Sequence, residues 1–170
     1  MTFEKVILPE LKVEKPHYRA EVGEHYKLLN YLCKGKSLVF DVGTYQGYSA
    51  TAMSSAKEVV SYDVENLRIK QRYPRNIKFK VGDVLEDNRL NDAELILLDT
   101  YHLGGFEKRF LAHLNKISFK GMLVMDDIHF SNDMERVWES IKLPKEDFTE
   151  YGHYTGTGIV YYNEQHSDNS

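Results

Sequence analysis

The sequence predicts an α/β fold, a doubly wound and mostly parallel sheet with helices on both faces and an antiparallel hairpin at its C-terminal end. Strand-length apolar runs alternate with segments of helical periodicity from about residue 22 onward. The early runs are continuously apolar, as buried parallel strands are. The first run, Leu38–Val42, leads through a glycine turn into small residues. With right-handed crossovers, these elements predict three layers around a seven-stranded sheet.

The positions of the individual elements follow from the spacing of apolar residues and from the turn and cap residues between them. Five parallel strands are expected at Leu38–Val42, Val59–Val64, Ile77–Val84, Glu94–Thr100 and Met122–Asp127. Helices are expected over residues 22–33 before Gly35, and at Gly47–Ala56, Glu65–Arg72 and Gly105–Ser118. A further helix should start at Ser131 or Asn132, where Asn132 with Glu135 fits a capping box. Phe148–Tyr154 and Gly158–Tyr162 should form the closing hairpin, which turns at Thr155-Gly156-Thr157.

Length and composition indicate one globular domain. The chain has 170 residues, enough for a sizeable core. We expect a single domain over residues 21–163, an extended arm over residues 1–20 and a disordered tail over residues 164–170. Apolar runs are too short to span a membrane. The absence of a signal-like N-terminus, and a lone Cys33 that cannot form an internal disulfide, favour a cytoplasmic protein.

The net charge argues against polyanionic partners. It is −4, with both signs interspersed and no basic stripe. Tight, sequence-independent binding to nucleic acid or to an anionic membrane surface is therefore not expected. Homo-oligomerisation remains open at this point.

A glycine loop follows the first strand. Gly43 and Gly47 form a Gly-x-x-x-Gly spacing between the strand and the next helix. Glycine lacks a Cβ, so the backbone can turn sharply there or approach a ligand closely. The free N–H groups of the helix that follows favour an anionic or polar ligand group. The spacing differs from the Gly-x-Gly-x-x-Gly of dinucleotide-binding proteins.

Acidic residues close every predicted parallel strand. They are Asp41, Asp63, Asp83, Asp99 and the pair Asp126-Asp127. One such residue alone is an ordinary loop carboxylate or helix cap. Because the carboxyl ends of parallel strands share one edge of the sheet, together they predict a single acidic crevice.

The Asp-x-Gly-x-x-x-Gly run from Asp41 to Gly47 resembles motif I of class I S-adenosylmethionine-dependent methyltransferases. The element order is similar to their seven-stranded Rossmann-like fold across nearly the whole chain. The resemblance implies that the last strand lies between the fifth and the sixth. It also implies S-adenosylmethionine as cofactor, with Asp63 on the ribose hydroxyls and Asp83, next to Val84, at the adenine. The other residues expected at the cofactor are Asp41, Gly43, Thr44, Tyr45, Gly47 and Ser49.

The acidic residues that end the fourth and fifth strands suggest a metal-binding site. Three carboxylates at neighbouring strand ends could bind one hard cation such as Mg²⁺. The pattern resembles the metal-dependent small-molecule O-methyltransferases of the catechol and macrolide-sugar types, which implies Asp99, Asp126 and Asp127 as ligands. In the sugar-hydroxyl branch a histidine lies three residues after the first aspartate, which falls on His102. Without a metal, Asp126 and Asp127 would simply favour the positive end of the following helix.

These observations predict Mg²⁺-assisted methyl transfer to a hydroxyl of a small molecule, a sugar or a phenol. Asp99 and His102 are the expected catalytic residues, with His102 as the proton acceptor. The chain has little obvious material for a lid, so a non-catalytic S-adenosylmethionine-binding module, or a subunit of a larger complex, is the alternative. A nicotinamide-dependent oxidoreductase fits less well, because the glycine spacing differs and a Tyr-x-x-x-Lys pair is missing.

Overall fold

The computed structural model describes residues 25–162, so the arm predicted for residues 1–20 and the tail predicted for residues 164–170 lie outside the described residues. The helices are α1 (Tyr26–Cys33), α2 (Tyr48–Ala52), α3 (Gly105–Lys116) and α4 (Asn132–Ser140). The strands are β1 (Leu38–Val42), β2 (Glu58–Asp63), β3 (Ile77–Val81), β4 (Leu95–Leu98), β5 (Met122–Asp126), β6 (Lys145–Asp147) and β7 (Thr157–Tyr161). Short 3₁₀ turns occupy Met53–Ser55, Val84–Glu86, Asn88–Asp92 and Thr149–Tyr151.

Within the described range the strands form one seven-stranded sheet in the order β3-β2-β1-β4-β5-β7-β6. Strands β1 to β5 pair in parallel, and β7 runs antiparallel to both β5 and β6. The predicted insertion of the last strand between the fifth and sixth is therefore confirmed. The strand order reverses between β1 and β4, which is where doubly wound folds bind ligands at the carboxyl edge.

Each face of the sheet has its own apolar core. On one face Phe40, Ile96 and Leu123 pack with Phe110 of α3 and Val137 of α4. The residues that pack on the other face with α1 and α2 include Leu28, Leu29, Val39, Ala50, Leu97, Val124 and Ile159. The strand positions alternate between the two cores, as a period of two requires. The predicted three-layer α/β fold is confirmed. No helix in the described part of the chain has the length and apolarity needed to cross a bilayer.

The predicted helix at Glu65–Arg72 is wrong. The chain is irregular between β2 and β3. A surface helix needs an apolar stripe to bury, and Leu67 instead remains exposed. Individual side-chain contacts hold the segment in place. The Tyr73 hydroxyl donates to the carbonyls of Gln46 and Ile69 at 2.9 Å. The Arg68 guanidinium lies over the Phe79 ring.

Two other predicted boundaries change near the C-terminus. The strand expected at Phe148–Tyr154 forms earlier, at Lys145–Asp147, because the Asp147 carboxylate accepts from the Thr149 N–H and starts a 3₁₀ turn instead. Helix α4 is capped by Ser131, whose Oγ accepts from the Met134 N–H at 3.3 Å. The capping box predicted from Asn132 is wrong, since Asn132 is already the first helical residue.

Candidate functional site

A cavity of about 500 Å³ lies at the carboxyl edge of the sheet. Its walls come from the ends of β1 to β4, the segment after β2 and the start of α3. The residues that line it include Gly43, Tyr45, Tyr62, Asp63, Val64, Leu67, Asp83, Val84, Asp99, Tyr101 and Phe106. Most of the lining is apolar, with carboxylates at separate points, which is the usual composition of a small-molecule site.

The glycine loop needs both of its glycines. Gly43 has a φ of +102°, and a Cβ there would lie 1.5 Å from the carbonyl oxygen of Asp99. Gly47 has a φ of +86°, and its Cβ would lie 2.7 Å from the Tyr73 ring. The first glycine lets β1 and β4 approach at the switch point, and the second lets the loop pack on the segment after β2. Both glycines therefore shape the cavity through their backbone.

Five of the predicted cofactor residues line the cavity, namely Gly43, Tyr45, Asp63, Asp83 and Val84. The Asp63 carboxylate at the end of β2 accepts from the backbone N–H of Tyr45 at 2.7 Å. This contact fixes one oxygen and joins the glycine loop to β2. Asp83 accepts from the Leu85 N–H at 3.0 Å and caps the 3₁₀ turn that begins at Val84. The Val84 side chain is buried against the cavity wall.

The side chains of three other predicted cofactor residues do not line the cavity. Asp41 is fully buried, and its carboxylate accepts from Ser61 Oγ at 2.6 Å and from Thr44 Oγ1 at 3.2 Å. Thr44 also contacts the Ser61 hydroxyl, and Ser49 hydrogen-bonds to Asp41. Burial raises the pKa of Asp41 to about 6, although these hydroxyl donors oppose the shift. Asp41, Thr44 and Ser49 thus support the loop from beneath, and the predicted contacts of their side chains with the cofactor stay a prediction.

A second group of polar residues lies beside the cavity, at the ends of β4 and β5. His102 Nε2 lies 3.3 Å from Asp99 Oδ1 and 3.0 Å from Asp127 Oδ2. Burial opposes protonation of His102, but the hydrogen bond to Asp99 and the charge of Asp127 outweigh it, so the pKa is raised. Both predicted catalytic residues, Asp99 and His102, are in direct contact.

Asp127 is held by several protein groups. Its Oδ1 lies 2.9 Å from His153 Nδ1 and also accepts from the Thr155 hydroxyl. Burial opposes its ionisation, but these hydrogen bonds and the neighbouring His102 lower the pKa of Asp127 below its usual value. The residue has a φ of +58°, a left-handed conformation that aspartate tolerates better than most side chains.

Asp126 is the most buried acid of the group. Burial, and then the negative charges of Asp99 and Asp127, raise its pKa well above the ordinary value. Two histidines lie near it: His25 Nδ1 is 3.8 Å from Oδ1, and His153 Nδ1 is 3.7 Å from Oδ2. A carboxylate in such surroundings is ionised only when a positive charge is close.

The three predicted metal ligands do not form a single group. Asp99 joins Asp126 and His25, with candidate ligand atoms within 4.8 Å of one another, whereas Asp127 joins Asp126 and His153. The two carboxylate oxygens of Asp127 instead contact His153 and His102. Sequence reasoning missed both histidines, because α1 and the loop before β7 are brought to β5 only by the fold. No local spacing pattern signals either contact.

Backbone strain is concentrated around this site. Among the described residues, four non-glycine residues have a positive φ, and Tyr45, His102 and Asp127 are three of them. Each costs about 1 kcal/mol or more and persists only where surrounding contacts enforce it. Buried Glu107 supplies one such contact: its Oε1 accepts from Thr100 Oγ1 at 2.7 Å and from the His102 N–H at 3.2 Å.

Comparisons with known proteins identify the fold. No protein-family model and no curated protein matches the sequence. Among solved structures, cofactor-bound Rv0187 from MTB has a TM-score of 0.63 at 12% identity, covering 92% of this chain and 86% of its own. The O-methyltransferase TomG from Streptomyces achromogenes, in complex with SAM, has 0.58 at 15%, covering 90% and 82%. The O-methyltransferase from Bacillus cereus, in complex with SAH, has 0.56 at 16%, covering 91% and 84%.

Two of these neighbours are complexes with SAM or SAH, which connects the fold with S-adenosylmethionine. At such low identity the likeness is one of architecture and leaves the substrate undetermined. The chain therefore has the Rossmann-like fold of class I S-adenosylmethionine-dependent methyltransferases.

Proposed function

We propose that the protein is an S-adenosylmethionine-dependent O-methyltransferase that methylates a hydroxyl of a small molecule, a sugar or a phenol, with the help of a divalent cation. The observation that carries the proposal is that the cavity and the carboxylate–histidine group share one residue, Asp99. A cofactor in the cavity and an acceptor at that group would therefore meet at the end of β4. Solved O-methyltransferases of the same fold support this class of reaction.

In the cavity, Asp63 is the expected partner of the ribose hydroxyls. It ends β2 about 20 residues after the glycine loop, the place where such folds position an acidic residue for a ribose. The Tyr45 N–H holds Oδ2 at 2.7 Å, whereas Oδ1 accepts only a long bond of 3.4 Å from the Glu65 N–H and can also accept from a ribose hydroxyl. Asp83 and Val84 would flank the adenine, the first as acceptor and the second as apolar wall.

The acceptor would enter beside the second polar group. Several large apolar side chains are exposed there or at the cavity mouth: Tyr45, Tyr101, Leu103 and Phe130. Apolar groups left exposed around a concave site favour a ligand that carries an apolar or aromatic body. This supports a phenolic compound or a sugar with an apolar substituent as the acceptor.

In the reaction, the acceptor oxygen forms a bond to the sulfonium methyl carbon while the carbon–sulfur bond breaks, which leaves S-adenosylhomocysteine. The hydroxyl proton must leave, and His102, which contacts Asp99 at the edge of the cavity, is the residue expected to receive it. Its raised pKa makes the neutral imidazole a stronger proton acceptor. A bound divalent cation lowers the pKa of a coordinated hydroxyl and orients it. Positioning by the chain then supplies much of the acceleration.

The sequence predicts three Mg²⁺ ligands, Asp99, Asp126 and Asp127. The donors fit a divalent cation in part. Asp126 is buried among negative charges that a cation would neutralise, whereas Asp127 is already bonded to His153 and Thr155. Asp99 and Asp126 would therefore supply the carboxylate oxygens.

The proposal is tested by calorimetry and a transfer assay. S-adenosylhomocysteine should bind to the protein, and radiolabelled methyl should pass from S-adenosylmethionine to members of a panel of phenols and sugars. Chelation should lower that transfer, and added divalent cation should restore it. Binding without transfer to any acceptor would favour the alternative, a non-catalytic binding module. Failure to bind S-adenosylhomocysteine would contradict both.

A further inference from the structure

His25 has a combination of burial and missing partners that a structural role does not explain. It precedes α1 and is 4% exposed. Among the residues that the structure describes, neither ring nitrogen has a hydrogen-bond partner. The nearest acidic oxygen, Asp126 Oδ1, lies 3.8 Å from Nδ1, which is too far for a hydrogen bond. Buried polar atoms in native proteins are paired with protein, water or ions, so this imidazole calls for a ligand.

The carboxylates beside His25 require a ligand of opposite charge. Asp126 is buried, and its carboxylate lies close to those of Asp99 and Asp127, so that a counter-charge among them is favoured. Both ring nitrogens of His25 are buried without a hydrogen-bond partner among the described residues, and His25 offers a ligand atom to the same group as Asp99 and Asp126. Neutral imidazole is the form that binds metal ions. One bound cation would therefore both pair with the His25 imidazole and offset the charge of the carboxylates.

The positions of these donors favour one ion. His25, Asp99 and Asp126 each present a ligand atom within 4.8 Å of the other two. The set mixes one nitrogen donor with carboxylate oxygens. Mg²⁺ is bound through oxygen ligands and keeps much of its water. Imidazole nitrogen is a ligand for first-row transition metals, of which Zn²⁺ is the most common with His and Asp together.

We propose that His25, Asp99 and Asp126 bind a first-row transition metal ion, of which Zn²⁺ and Co²⁺ are suitable probes, in preference to Mg²⁺. The inference refines the cation of the proposed methyl transfer, but metal binding alone can decide it. It takes His25 in place of the expected ligand Asp127, so that a residue from the start of α1 would share a site with the ends of β4 and β5.

Asp127 and His153 lie beside the proposed metal ligands. Asp127 and His153 contact each other and share Asp126 with the proposed ligands. Partners of this kind orient a ligating carboxylate and tune its basicity. Asp127 and His153 are therefore assigned as positioning residues, and Asp126 is the residue through which they would act.

The test compares Zn²⁺ and Mg²⁺ binding by calorimetry in the wild-type protein, His25→Gln and His113→Ala. Glutamine keeps the polarity and approximate size of histidine but is a poor ligand for Zn²⁺. His113 is the matched control, since it lies in the last turn of α3, away from the strand ends that hold the site. We expect wild-type protein to bind Zn²⁺ at least about 100-fold more tightly than Mg²⁺. His25→Gln should lose about 100-fold in Zn²⁺ affinity, and His113→Ala should lose none.

A measurement on the wild-type protein covers the case in which His25→Gln does not fold. With ¹⁵N-labelled histidine, Zn²⁺ should shift the ring nitrogens of a histidine at the site, and Co²⁺ should give the visible absorption of a site with nitrogen ligands. Absence of both signals would overturn the inference. So would Mg²⁺ binding that equals Zn²⁺ binding, or a folded His25→Gln variant with unchanged Zn²⁺ affinity.

The two proposals can fail separately. If S-adenosylhomocysteine binds but Zn²⁺ does not, the metal inference is wrong and methyl transfer without this ion stands. If Zn²⁺ binds through His25 but S-adenosylhomocysteine does not bind, the proposed methyl transfer is wrong and the metal site stands.

Discussion

The carboxyl edge of the sheet has two halves that use the same residue type in opposite ways. On the cavity half, Asp63 and Asp83 end their strands beside solvent and accept from backbone N–H groups. On the cluster half, Asp99, Asp126 and Asp127 lie together with histidines, and burial raises the pKa of Asp126. Carboxylates on the first half are ready to accept hydrogen bonds. On the second half, buried Asp126 needs a proton or a cation, whereas hydrogen bonds from His153 and Thr155 hold the pKa of Asp127 below its usual value. Surroundings, and not residue type, therefore give the carboxylates of the two halves different electrostatic properties.

Gly43 joins the two halves, and its substitution should have the largest effect. In Gly43→Ala the added Cβ would lie 1.5 Å from the Asp99 carbonyl at a φ of +102°, so β1 and β4 must separate. We expect a loss of more than about 3 kcal/mol in the free energy of unfolding. Urea denaturation measures it. Gly105→Ala is the control, because a Cβ there meets nothing within 4 Å and should cost little. Equal losses in the two variants would contradict the close approach at Gly43.

Asp63→Ala should act on the cavity half alone. Removal of a carboxylate that would accept from ribose hydroxyls should weaken S-adenosylhomocysteine binding by about 100-fold, equivalent to about 2.7 kcal/mol. Zn²⁺ affinity should change by less than about threefold, since Asp63 is not part of the ion site. Calorimetry measures both. Asp92→Ala, at an exposed position, is the control. Unchanged S-adenosylhomocysteine binding in Asp63→Ala would remove the ribose assignment.

Glu107→Ala tests how the cluster half is held. The substitution leaves the Thr100 hydroxyl and the His102 N–H without their acceptor. We expect about 2 kcal/mol less stability, and a fall in kcat that exceeds the change in S-adenosylhomocysteine affinity. Glu107→Gln keeps an acceptor oxygen and should retain most of both. If the two variants fall equally in kcat, the hydrogen bonds to Glu107 do not position His102.

Asp87→Asn should give the smallest effect and a pH signature typical of a paired acid. Burial opposes ionisation of Asp87, but hydrogen bonds from Lys80, Tyr62 and Arg89 outweigh it and hold its pKa well below the usual range. A lowered folded-state pKa contributes stability above about pH 4, which is lost as the pH falls. Because Lys80 and Arg89 are each about a third exposed, we expect a cost of about 1 kcal/mol at pH 7.

That cost should disappear as the pH is lowered from about 5 to 2. Urea midpoints of wild-type protein and Asp87→Asn across this range measure it. A difference that stays constant with pH would show that the charge of Asp87 contributes nothing.

Local sequence patterns predict much of the fold. Leu38–Val42 was correctly placed because a continuous apolar run before a glycine turn has few alternatives. Helix α3 was found because its apolar residues repeat with the helical period. The helix predicted at Glu65–Arg72 does not form, and local sequence does not reveal whether a short charged segment has a surface to pack on.

The candidate site shows the same division. The acids at the strand ends were visible in the sequence, since each follows an apolar run. The inward turn of Asp41 towards Ser61 was not, because its burial depends on a neighbouring strand. The approach of His25 to Asp126 joins residues that are far apart along the chain, and it leaves no pattern in either segment.

The sequence by itself determined the order of strands and helices, the glycine loop and the edge on which the acids lie, because these follow from periodicity and backbone freedom over a few residues. Only the tertiary structure decided which acids face a cavity, which are buried together, and which histidines join them. Those outcomes depend on strand order and on how α1 and the loop before β7 pack on β5, and such contacts join residues that are remote along the chain.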